Sequence, residues 1–154
     1  MLKKHNIPAV LFFLIFLITG MAVVRDYGVH LDEFNSHDFG ARWYQYVNGV
    51  LIHKAPLIPM KAESSHDVIH GPAFEITVAF LADKVFHLSD SREIIFFRHY
   101  CVWFLFYISV VVFYFLIRQH FAHKIYALLG CLLLVLHPRI FANSFYNSVD
   151  MAFL

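Results

Sequence analysis

Charge is what this chain has least of. Asp, Glu, Lys and Arg together make 15% of its 154 residues and apolar residues make 60%, whereas soluble domains carry about 25% and roughly 45–50%. That balance excludes an ordinary soluble domain. The sequence has no Lys/Arg run and its formal net charge is +1, so it lacks the basic footprint of a nucleic-acid binder. The only two cysteines, Cys101 and Cys131, lie inside apolar runs without C-x-x-C spacing; they read as small hydrophobes rather than as a redox pair or a metal site. The histidines are scattered. His37, His53, His66 and His70 share one polar stretch but not the spacing of a structural zinc site, and read as interfacial or hydrogen-bonded side chains.

What the chain does have is long apolar runs. Residues 7–24, "IPAVLFFLIFLITGMAVV", hold no charge and as a helix span about 27 Å, close to the hydrocarbon thickness of a bilayer. Lys3 and Lys4 precede this run and set the N-terminus in the cytoplasm. A cleaved signal peptide, ending near Gly20-Met21-Ala22, is the rival, but the run is longer than a signal-peptide core. Residues 100–117, "YCVWFLFYISVVVFYFLI", predict a second spanning helix, followed by Arg118, His120, His123 and Lys124. Residues 125–142 predict a third. Its purely apolar part is short, so it must continue through Pro138, which kinks it, with Arg139 snorkelling toward the headgroups. A fourth apolar run begins at the end of the chain.

Between the first two runs lies an amphipathic region, residues 25–97. "DEFNSHDFGARWYQYVNGVLI" opens on good N-cap residues, and Phe39, Trp43, Val47 and Val50 recur at helical spacing. This predicts a helix on the membrane surface, its aromatic face in the headgroup layer. "HKAPLIPMKAESSHDVIHGP" reads as a loop. Residues 73–88 carry Glu75, Asp83 and Lys84, which are costly at mid-bilayer. With Phe74, Val78, Leu81, Val85 and Leu88 on one stripe, they predict a second surface helix instead of a span.

Counting sides from the cytoplasmic N-terminus then puts Asp32 outside, the Arg118–Lys124 cluster inside, and Asp150 outside. The outer face gathers Asp32 and Glu33, Arg98 at the head of the second spanning helix, and Asp150 after the third. Such acids are often plain helix caps or solvated charges. Together they also have the parts of a site: paired carboxylates deprotonate a nucleophile or hold a divalent metal, and arginine grips a phosphate bidentately. At headgroup level, that chemistry suits a lipid phosphate. A different class, an ion or proton transporter built on the same acids, is disfavoured because the apolar cores of the three helices contain no acid. A non-catalytic membrane segment is the third reading.

The order of motifs is specific: "LDE" (Leu31-Asp32-Glu33) after the first helix, an aromatic surface helix, "HGP" (His70-Gly71-Pro72), an arginine (Arg98) opening the next helix, and "HPRIFANSFYNSVD". It resembles the polytopic GT-C glycosyltransferases that use lipid-linked sugars, in particular the protein mannosyltransferase branch and the bacterial transferases that put aminoarabinose on lipid A. Members of that family have about a dozen spanning helices, so the resemblance implies that this chain corresponds to the first part of a GT-C module. That part is all-α and integral to the membrane, with three full transmembrane helices, outer-surface helices and the start of a fourth span. Where members read His-Pro-Pro this chain has His-Gly-Pro, which loosens one turn.

The resemblance implies a multi-pass protein of a bacterial inner (plasma) membrane. It would move a sugar from a polyprenyl-phosphate donor to a protein, lipid or glycan acceptor on the extracytoplasmic side. The acid after the first helix is catalytic in the family and falls on Asp32, with Glu33 adjacent; the acid of the next outer loop falls on Asp150. Arg98 and Arg139 are the candidates for stabilising the leaving phosphate, and His70 and Asn147 are candidate substrate-binding residues. Whether a divalent metal joins Asp32 and Asp150 stays open, since related enzymes differ. Taken without the rest of such a module, the chain is expected to be inactive.

Overall fold

The computed structural model describes residues 7–52, 72–121 and 123–151, apart from the side chains of Leu31, Asp32 and Val149. Among them the chain is helical and contains no strand. The helices are α1 (Ile7–Val23), α2 (Leu31–Ile52), α3 (Ala73–Phe80), α4 (Ser91–His120), α5 (Lys124–Leu136), α6 (Pro138–Tyr146) and α7 (Ser148–Met151). A tight turn of helix, Val24–Asp26, extends α1, and a wide π turn, Leu81–Val85, extends α3. They form two compact units. One comprises Met1–Gly28 with His99–Leu154, the other Val29–Arg98, so the division falls inside α4.

In the first unit α1 and α4 run antiparallel. Phe13 meets Tyr114 edge-on with ring centroids 5.5 Å apart, and further along α1 Phe16 meets Trp103 at 4.7 Å. At Gly20 the two helices touch: a Cβ there would lie 1.8 Å from the Trp103 ring. Only a residue without a side chain lets the indole lie against the backbone of α1, the device by which small residues bring membrane helices together. α5 packs back on α4 through Gly130, beside Ile117, and through Cys131, whose thiol donates to the Val110 carbonyl at 3.7 Å. Cys131 is buried and behaves as the small hydrophobe expected. The opposite faces stay apolar and uncovered: Leu11, Leu14, Ile15 and Ile18 on α1, Phe104, Ile108, Val112 and Phe115 on α4, Leu129 and Leu133 on α5. Faces of this extent need apolar surroundings.

Two helices among the described residues are long and apolar enough to cross a membrane: α1 with its terminal turn, Ile7–Asp26, and α4. α4 starts well before the predicted residue 100. Asp90 caps it, its Oδ1 accepting the Arg92 N–H at 2.8 Å, and at 30 residues the helix is about 45 Å long, more than the roughly 30 Å of a hydrocarbon core. Its first turns, with Arg92, Glu93 and Arg98, therefore extend beyond the apolar stretch.

The expected third span is altered by Pro138. The helix does not continue through it with a kink: α5 ends at Leu136, His137 is extended (φ −70°, ψ 113°), and α6 starts afresh with Pro138 in its first turn. A residue before proline is pushed out of the helical region, and proline is tolerated at a helix start. The axes of α5 and α6 differ by 69°. α5 rises about 20 Å, and α6, so inclined, adds only about 5 Å along the same direction. The pair is a broken or re-entrant segment instead of a straight span. The start of a fourth helix, beyond Met151, lies outside the described residues.

In the second unit α2 occupies the predicted stretch. Its residue Phe39, on the face expected to meet headgroups, is buried, and Tyr44 meets Phe80 of α3 at 5.9 Å. Residues 73–88 are not among the helices long and apolar enough to cross a membrane. They give 8 residues of α-helix and 5 of π turn, about 20 Å in all. The buried stripe is not the expected one, however. Glu75, Val78, Ala79 and Ala82 face inward, while Val85 is half exposed. A Cβ at Gly40 of α2 would lie 2.5 Å from the Glu75 carbonyl oxygen; this close approach selects the small residues Ala79 and Ala82 for the interface, and the π turn shifts the register after them. The element closes on His87 in the left-handed region (φ 53°), with the Leu88 N–H donating to the Ala82 carbonyl at 2.9 Å, a Schellman-type stop.

Candidate functional site

The acids expected to form a site divide between the units. Asp32 and Glu33 belong to the second unit, in the first turn of α2; Asp150 belongs to the first, in α7. His30 occupies the N-cap position of α2, with the Glu33 N–H donating to its carbonyl at 3.1 Å. Glu33 reaches back, and its Oε2 accepts the His30 N–H at 2.7 Å. Its side chain is 3% exposed. This is the carboxylate half of a capping box; the side chain of Asp32 lies outside the described residues. Asp32 stands one position earlier in the same turn, about 100° around the helix.

Asp150 is exposed and held by Asn147. Asn147 Oδ1 accepts the Asp150 N–H at 3.0 Å, and its amide donates to Asp150 Oδ2 at 2.8 Å. The two candidates of "NSVD" thus cap α7 reciprocally, while the carboxylate stays open to solvent. α6 carries this segment to a definite end of the first unit. Phe145 lies between two rings: Tyr27, just after α1, at 4.3 Å and nearly parallel, and Trp103, in the upper part of α4, at 5.1 Å and 5°. Asp150 is therefore at the end of the unit where α1 finishes.

The candidate cations behave differently. Arg139, in the first turn of α6, is exposed. Arg98 is not on a surface: it is 1% exposed and its Nη1 donates to Glu75 Oε2 at 2.6 Å, with Glu75 6% exposed. A guanidinium so enclosed is neutralised by its carboxylate and is a poor first contact for a lipid phosphate. Its Nε meets no partner among the described residues. His37 lies in the same cluster. Burial, and then the nearby Arg98, hold its pKa below the ordinary 6.5, against the opposing pull of Asp38 and Glu75. His70 lies outside the described residues.

Glu75 enters the sequence reading only as a charge that argues against a span, and its pairing with Arg98 is not foreseen there. Its signal was an acid within the apolar stretch "AFEITVAF", followed by an arginine at the head of the next helix. No three His, Cys, Asp or Glu side chains come together as metal ligands among the described residues.

Comparison with protein-family models, with curated proteins and with solved structures gave no match for this chain.

Proposed function

We propose that this chain forms the beginning of a membrane glycosyltransferase of GT-C type, which moves a sugar from a polyprenyl-phosphate donor to an acceptor on the extracytoplasmic side. The observation that supports it best is the Tyr27–Phe145–Trp103 stack. It holds the segment leading to Asp150 at the end of the first unit where α1 finishes. Asp32 acts as the base that orients and deprotonates the acceptor hydroxyl, which attacks the anomeric carbon with inversion as the lipid phosphate leaves. Of the two arginines, exposed Arg139 is the better partner for that phosphate, since Arg98 is engaged by Glu75. Asp150, open to solvent and oriented by Asn147, is the second acid.

The test is Asp32→Asn in the complete protein, assayed in membranes with radiolabelled polyprenyl-phosphate sugar and normalised to folded protein. Asn keeps the polar character that suits a first helical turn but takes no proton. Abundance is expected to stay near wild type and transfer to fall by at least about 10²-fold, the scale of general-base catalysis. Near-normal transfer by Asp32→Asn removes Asp32 from catalysis, and no transfer by the wild type removes the glycosyltransferase reading altogether.

A further inference from the structure

α2 and α3 meet around an enclosed charge pair. Gly40 sits directly on the backbone of Glu75, and Glu75 holds Arg98 at 2.6 Å out of solvent. His37 lies one turn before Gly40, on the same side of α2. The groups that face it are Asp38 on its own helix, Glu75 on α3 and Arg98 on α4; buried Glu33 stands one turn earlier on α2. The Nδ1 atom of His37 is enclosed and has no hydrogen-bond partner among the described residues. In a neutral ring carrying its proton on Nε2, Nδ1 is a mere lone pair, and leaving it unmatched is a modest loss. An imidazolium puts an N–H at the same enclosed point, with no hydrogen-bond acceptor in place among the described residues and the Arg98 guanidinium nearby, which is far more costly unless Glu75 is drawn toward it.

We propose that His37 is a proton-binding site that controls the junction of α2 and α3. Neutral His37 leaves the Glu75 carboxylate to Arg98 and the junction closed. A proton taken from solvent onto Nδ1 makes a second cation that competes for Glu75 and repels Arg98, and α2 parts from α3. No covalent bond changes apart from the N–H formed. The sign follows from the lowered proton affinity of the folded state. The unfolded chain binds the proton first, so the stability of the junction is whole above about pH 6.5 and is lost as pH falls from there through the folded value. The inference stands without the glycosyltransferase reading.

Hydrogen exchange tests it, on the whole chain in nanodiscs at about pH 7.5 and about pH 5, corrected for intrinsic rates. Amides of residues 39–44 and 78–82 are expected to exchange at least about tenfold faster at the lower pH. Those of residues 106–110 in α4 are expected to change little, and His37→Gln should remove most of the acceleration. Equal acceleration in His37→Gln, or none in the wild type, overturns the proposal. Should the variant not fold, an NMR titration of His37 in the wild-type chain decides: a midpoint below 6.5 supports the site, and one at or above it overturns the site.

Discussion

Glu75→Leu is the most informative single change in the second unit. The substitution keeps the volume of the side chain nearly constant and suits its buried, 6% exposed position. What it removes is the 2.6 Å bond to Arg98, itself 1% exposed. Its Nε is already unmatched among the described residues. Breaking a buried pair from one side costs about 3–5 kcal/mol, because a charge stays enclosed without compensation. Glu75→Gln should cost less, about 1.5–3 kcal/mol, since the amide oxygen still accepts a hydrogen bond.

Arg98→Met should also be milder than Glu75→Leu, because Glu75 has a further interaction besides Arg98. The double change Glu75→Leu with Arg98→Met replaces the pair by apolar groups and should return near wild type, as apolar replacement of buried pairs often does. The assay is denaturant unfolding of the whole chain in mixed micelles, followed by far-UV circular dichroism and read as a thermodynamic cycle. A loss of less than about 1 kcal/mol for Glu75→Leu, the range of exposed pairs, refutes the reasoning. So does a double mutant that loses the sum of the singles.

Two further changes test the helix contacts. Gly20→Ala puts a methyl group 1.8 Å from the Trp103 ring; the ring is fully buried and stacked on Phe145, so an overpacking loss of about 1–3 kcal/mol is expected, seen as a lowered unfolding midpoint. His87→Gly relieves the left-handed backbone at φ 53° and should raise stability by up to about 1 kcal/mol, measured the same way; a loss would mean that the imidazole has a role beyond ending the helix.

The parts of this fold that were legible in the sequence are those with local causes. The uncharged run of 7–24 predicts α1 because length and apolarity alone decide it. The break at Pro138 is legible because proline acts on its own neighbour, although its result, a new helix inclined at 69°, depends on how α6 packs under Tyr27 and Trp103. The pairing of Glu75 with Arg98 was not legible. The charges of 73–88 speak in the sequence only against a span. Nothing within that stretch says that Gly40, in a different helix, will bring its backbone against Glu75 and turn the acid inward. The buried stripe is selected by close approach and by the π turn, neither of which shows in a 3.6-residue period.

The same distinction bears on the candidate acids. Three carboxylates were singled out by type and by side of the membrane. Geometry gives two of them local work: Glu33 closes the start of α2 by accepting the His30 N–H, and Asp150 closes α7 with Asn147. A carboxylate tied to a backbone N–H is held in one direction, which suits a cap and limits its reach toward a substrate. Glu33 is also enclosed, so a catalytic part for it requires that α2 unwind at its first turn. Asp150 keeps solvent access and can serve both ends, because its cap partner is a side-chain amide that orients the carboxylate without covering it. On the proposed function, Asp32→Asn tests catalysis while leaving in place the cap that Glu33 provides at the start of α2.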